Sequence, residues 1–130
     1  MSLLACWFCL SLILLDRPCA AGETEVLAAL EKLREASRMQ TDYINYSNAL
    51  LQCKTELSNM EKEENIHTPY IQHPFFDNAW MSYLNYELAR RYWDLMLSGS
   101  AQAEVYGKER ANLFKRASEA LDRAHQAAKK

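Results

Sequence analysis

The groups in this chain that could do chemistry are few: Cys53, three histidines, a short acidic run and a concentration of aromatic and arginine residues. Cys53 could join a second copy of the chain through an intermolecular disulfide, react as a thiol, or only pack, because a buried cysteine behaves as a small hydrophobe. His67 and His73 flank Pro69 with Asp77 nearby, but a separation of six residues matches no zinc pattern, and His125 stands alone. Glu61, Glu63 and Glu64 read as a solvated helix end. No paired carboxylates, Ser/His/Asp arrangement or Cys/His dyad carries a local signature. Beyond the first 21 residues the glycines are Gly22, Gly99 and Gly107, too scattered to build a phosphate-binding loop. No catalytic, cofactor-binding or metal-ligating residue is assigned, and the expectation is a protein that is not an enzyme. Asn45-Tyr46-Ser47 is a formal N-glycosylation sequon, relevant only in a eukaryotic secretory route.

The aromatic concentration points elsewhere. Tyr70, Phe75, Phe76, Trp80, Tyr83, Tyr86, Tyr92 and Trp93 fall within one short stretch, with Arg90 and Arg91 beside the last two. Aromatic residues, Met and Arg are the types enriched in protein interfaces. Tyr70, Phe75, Phe76, Trp80, Arg90, Arg91, Tyr92 and Trp93 therefore form the candidate interface. The competing reading makes the same stretch the central core helix. On a helix from Asn78, Trp80, Leu84, Leu88 and Leu95 share one side while Tyr86, Ala89, Trp93 and Met96 share another, an apolar circumference wide enough to be covered on most of its surface.

These residues need elements to position them, and the most regular is Met39 to Met60. Met39, Tyr43, Tyr46, Leu50, Cys53, Leu57 and Met60 follow alternating steps of four and three, one face of an α-helix. Residues from Gly22 to about Asn65 all read as helix, yet one piece of that length would run about 60 Å at ~1.5 Å per residue. The stripe slips between Leu33, Ala36 and Met39, and weak helix formers follow from Thr41 to Asn48. A kink, or two helices meeting near Gln40 to Asp42, is expected. Residues 65–77 read as a linker because Pro69 and Pro74 push Thr68 and His73 out of helical geometry. Asp77 or Asn78 is then the expected N-cap of a segment reaching Leu97, closed by Ser98-Gly99-Ser100. A last helix runs from about Ala101 to Ala128, with an Ala-rich stripe of Tyr106, Leu113, Ala117, Ala120, Ala124 and Ala127 flanked by Phe114 and Leu121. Gly107 weakens its start. No strand alternation and no repeat is visible.

The address is written before the fold. Leu3 to Leu15 is an unbroken apolar run of 13 residues, short for a membrane span of about 20, and Cys19-Ala20-Ala21 supplies small residues for cleavage. Residues 1–21 read as a signal peptide and residues 22–130 as one helical domain. Against that reading stand the lack of Lys or Arg ahead of the run and the charged Asp16 and Arg17 after it. An uncleaved anchor over residues 3–15 is the alternative. Cleavage would remove Cys6, Cys9 and Cys19 and leave Cys53 alone, which excludes a disulfide-stapled scaffold. A formal net charge of −2 leaves no footprint for nucleic acid, and the basic residues of the last helix alternate with Glu109, Glu119 and Asp122. An acidic first half and a basic last helix favour packing on each other.

The expected fold is therefore all-α, an antiparallel helical bundle or hooked hairpin of three to four helices after an N-terminal signal-like segment. The expected function is non-enzymatic protein binding outside the cytoplasm, secreted or periplasmic, as an adaptor, chaperone-like or inhibitor/immunity-type protein, with a homodimer among the possible partners. Two alternatives stand beside it: a membrane-anchored accessory protein that retains its N-terminal apolar segment, and a helical ligand carrier or enzyme with a pocket near Trp80 and Trp93.

Overall fold

The computed structural model describes residues 20–39, 42–66, 73–99 and 101–129. The apolar run, Cys6, Cys9, Cys19, His67 and Tyr70 lie outside the described residues. Among the described residues there are four helices, α1 Ala20–Arg38, α2 Tyr43–Glu63, α3 Pro74–Leu97 and α4 Ala103–Ala128. Gly22 lies near Met60, Tyr46 reaches Tyr86, Ser82 reaches Ala117, and Arg34 meets Asp122. Successive neighbours therefore run antiparallel, and α4 returns against α1. The architecture is an all-α, up-down-up-down four-helix bundle.

Each boundary has a local cause. α1 and α2 are separate helices, as the slipped stripe implied. Asp42 stands in extended geometry and accepts the Asn45 backbone N–H at 2.8 Å, capping α2. Met39 is consequently not part of the core stripe. It ends in the turn after α1 with 70% of its surface exposed, because the helix that would have turned it inward has already stopped. From Tyr46 the stripe holds, and Tyr46, Leu50, Cys53, Leu57 and Met60 are all buried. α2 ends in a left-handed Asn65 at φ 53°, with Asn65 N–H on Lys62 O (3.3 Å) and Ile66 N–H on Glu61 O (3.0 Å). That pair of bonds is a Schellman motif, and it turns Ile66 into the core.

The expected linker over 65–77 and the expected cap at Asp77 or Asn78 need correction. α3 already begins at Pro74. Proline suits the first helical position, where its missing N–H would be unpaired anyway. His73 is the cap: its Nδ1 accepts the Phe76 N–H at 3.1 Å, while its own N–H donates to the Asp77 carboxylate at 3.3 Å. Asp77 therefore belongs to the first turn, where a negative charge suits the helix dipole. Gly99, at φ 79°, ends α3 as expected.

α3 and α4 share the most extensive contact surface. Ala79, Ser82 and Ala89 on one helix and Leu113, Ala117, Ala120 and Ala124 on the other are buried, and these small residues let the backbones approach closely. Ser82 is completely buried between the two helices, and its hydroxyl donates to Ala117 O at 2.8 Å. The α1–α4 seam is ionic. Arg34 bridges Glu31 on its own helix and Asp122 on α4 (2.7 Å), and donates to Ser118 Oγ (3.1 Å), while His125 bonds Glu31 at 2.9 Å. The expected attraction between an acidic first half and a basic last helix is thus met partly in reverse, since the closest cross-helix pair takes its cation from α1 and its carboxylate from α4.

Two tests follow from this packing. A methyl group added at Gly107 would meet only Met96 Cε at 3.6 Å, an ordinary contact, within a helix interior. Gly107→Ala is expected to raise the unfolding free energy by about 0.5–1 kcal/mol, read by urea denaturation; a decrease would show strain at that contact. The hydrogen bond from Arg34 holds the Glu31 carboxyl below its ordinary value of 4.5, against a smaller opposing effect of burial. A depressed carboxyl stabilises the fold above its unfolded value and loses that contribution as the pH falls through the lower folded value. Glu31 is partly exposed, so Glu31→Gln should destabilise by only about 0.5–1 kcal/mol at pH 7. The gap to the parent should close on acidification below about pH 4.5. A gap independent of pH would mean that Glu31 acts through packing alone.

Candidate functional site

α3 carries most of the residues singled out by type, and the bundle distributes them around its circumference. Phe75 and Phe76 are buried at the start of the helix and belong to the core. Trp80 is half-buried, stacked on Phe76 at 6.2 Å and tilted against Tyr83 at 5.4 Å. Tyr92 packs on Tyr106 of α4 at 5.9 Å. Trp93 faces α2, edge-on to Tyr43 (5.7 Å) and tilted against Tyr46 (5.4 Å). Arg90 is committed locally, to Glu87 (2.7 Å), Asp94 (3.6 Å) and the Tyr43 hydroxyl (3.2 Å), and Arg91 is exposed. These residues do not share one surface.

What they leave open is the outer side of α3. Met81, Leu84, Leu88 and Leu95 are exposed to 50%, 42%, 41% and 42% respectively. Their steps of three, four and seven place them on one line about 21 Å long, interrupted only by Arg91. The reading of α3 as a helix covered on most sides is corrected here. A corner helix of a four-helix bundle buries one half of its circumference, and the Leu84–Leu88–Leu95 side is the other half.

Concavities lie elsewhere, among them a shallow one of about 260 Å³ between α2 and α3, lined by residues that include Leu51, Lys54 and Glu87. A cleft of about 470 Å³ at one end of the bundle is lined by Glu23, His73, Pro74, Phe75, Arg123, Gln126 and Ala127. Its histidine is occupied on both ring nitrogens, Nδ1 by the Phe76 N–H and Nε2 by Glu64 at 3.1 Å, so it serves the fold rather than chemistry in the cleft. Arg123 is turned to Asn78 Oδ1 at 3.0 Å. Another cavity of about 220 Å³ is walled by Ala36, Ser37, Trp93, Arg110 and Phe114. The guanidinium of Arg110 lies over the Trp93 ring at 4.8 Å and near the Phe114 ring at 5.9 Å. A pocket does therefore adjoin Trp93. Trp80, about 20 Å further along the helix, has no part in it. The sequence reading passed over Arg110 and Ser37; the four-residue spacing of Arg110 and Phe114 was the available signal, but nothing local said which residues of α1 would close the wall.

Cys53 is completely buried, and burial, with the Glu56 charge as a lesser cause, pushes its thiol up to about 12. A disulfide through Cys53 to a second copy conflicts with this position, since the sulfur is sealed beneath α2 and the thiolate it needs is suppressed. Asn45 is exposed in the first turn of α2, where its side chain donates to the capping Asp42 at 3.0 Å. Among the described residues no group of three His, Cys, Asp or Glu could hold a metal, and no helix is long and apolar enough to cross a membrane.

Alkylation of the full chain checks the cysteine. With peptide mapping by mass spectrometry, Cys53 should react with iodoacetamide on the order of 10³-fold more slowly in the folded protein than in denaturant. Labelling of native Cys53 at the rate of an exposed thiol would overturn the buried assignment.

Comparison with protein-family models, with curated proteins and with solved structures returns no match.

Proposed function

We propose that the protein is a small exported protein-binding protein without catalytic activity, which holds its partner on the outer face of α3. The observation that carries this reading is the line of Met81, Leu84, Leu88 and Leu95, four large apolar side chains held open to water on a rigid helix. Scattered exposed leucines are ordinary on protein surfaces, whereas an aligned set flanked by polar residues marks a contact surface. Arg91 within the line and Asp77 and Asp94 beside it supply the polar rim such surfaces use to orient a partner. The apolar side chains project from a helix whose opposite face is anchored by Ala79, Ser82, Tyr86 and Ala89, so little ordering is needed on binding. Export is supported by the Leu3–Leu15 run. Among the described residues the first buried one is Val26, so removal of residues 1–21 would leave all of these in place.

Leu84→Asp with Leu88→Asp tests the face without touching the core. Both sites are exposed, so the fold should be retained within about 0.5 kcal/mol per site. Sedimentation of the protein in extracts of its native source should show an assembly heavier than the 15.0 kDa chain. The double variant should weaken that assembly at least about tenfold, while Leu51→Asp, on the exposed side of α2, should leave it intact. A monomer in the native extract, or an assembly indifferent to the double variant, rules the reading out.

A further inference from the structure

Independently of the α3 face, we infer that the cavity beside Trp93 binds a carboxylate on a short apolar stem, with Arg110 as its charge partner. The walls divide by chemistry. Trp93 and Phe114 give two aromatic surfaces, Ala36 a small apolar one, and Arg110 the charge. At about 220 Å³ the space is enough for a small organic acid or one terminal residue of a chain.

Arg110 is equipped for such a ligand. The half-buried arginines around it are occupied, Arg34 by Glu31 and Asp122 and Arg90 by Glu87 and Asp94. Among the described residues Arg110 has no carboxylate within ion-pair distance; its contacts are the two ring faces, which hold the guanidinium by cation–π attraction. A guanidinium held by its face keeps the in-plane N–H donors at its edge, the geometry that grips a carboxylate at two points.

A second observation concerns the adjoining wall. The Tyr86 hydroxyl is buried without a hydrogen bond of good geometry, and its polar neighbour is Ser37 of the cavity wall, whose own hydroxyl donates to Arg34 O at 2.7 Å. The C-terminal dipole of α1 disfavours an anion here, but it amounts to about half a charge against the full charge of Arg110. One unpaired cation between apolar walls suits a planar monoanion better than a phosphate dianion, which would need more donors.

The carboxylate could be that of a free small acid or of a polypeptide C-terminus. NMR titration of the full chain separates them, using the Trp93 indole N–H and the Arg110 Nε–H as reporters. Phenylacetate should give saturable shifts with a dissociation constant of ~1–10 mM. Phenylacetamide, the same shape without charge, should bind at least about tenfold more weakly. Arg110→Gln, with helical circular dichroism unchanged, should abolish that difference. If Ala-Ala-Phe with a free C-terminus binds at least as well as phenylacetate while its amide does not, the site reads a chain end. If only phenylacetate saturates, it takes a free acid. Equal binding of acid and amide, an unchanged affinity in Arg110→Gln, or no saturable shift would each overturn the inference.

Discussion

The bundle depends on one hydrogen bond made in the dark. Tyr46 is fully buried, and its hydroxyl must find an acceptor or carry the penalty of a stranded polar group. It donates to the backbone carbonyl of Tyr86 at 2.8 Å, an oxygen on the neighbouring helix. Hydrophobic faces can slide on each other with little change in buried area, but a bond between a fixed hydroxyl and one particular carbonyl cannot. Tyr46 therefore fixes the register of α2 on α3, and with it the positions of Trp93, 5.4 Å from the same ring, and Phe114, 5.9 Å away. Burial pushes the Tyr46 hydroxyl far above its ordinary value, which keeps it protonated as a donor at neutral pH. Ser82 repeats the device one interface further on, its hydroxyl set on Ala117 O. Two buried donors thus set the relative height of three helices.

α1 is registered differently. Its contact with α4 runs through Arg34, Glu31, Asp122, Ser118 and His125 at the edge of the core, where water still reaches the carboxylates. Such pairs contribute less than a buried bond but select orientation, because a shift of one turn would set Arg34 against the wrong partner. The inner face of α1 is smooth and aliphatic, Val26, Ala29, Leu30 and Leu33, and carries no buried donor of its own. An aliphatic face with an ionic margin suffices for a helix that closes the bundle.

How much of this could be read from residue order varies with the range of the interaction. The α2 stripe from Tyr46 to Met60, the break before Asp42, the Gly99 terminus and the Ala-rich face of α4 are local patterns with period 3.6, and the helices follow them. The cap of α3, His73, lies four residues before Asp77, the earlier of the two expected caps. Proline was read as a breaker when at Pro74 it is an initiator, and nothing marks His73 as a cap except the imidazole that happens to reach back to Phe76. Met39 fitted the stripe arithmetically and fell outside it because a period says nothing about where a helix stops. Which side of α3 is covered, and that Ser37 of α1 would face Arg110 of α4, depend on how four helices are arranged, and no spacing along the chain encodes that.

The cavity beside Trp93 is a consequence of the same break that ends α1. Trp93 and Phe114 extend toward the end of the bundle where α1 runs out at Arg38, and the residues α1 presents there are small, Ala36 and Ser37. Because α2 must start afresh at Asp42 to bring Tyr46 onto Tyr86 O, the rings are left with one open side, and Arg110 lies across it with its charge unmatched by any described carboxylate. The constraint that sets the register of the core thereby also fixes where the bundle cannot close.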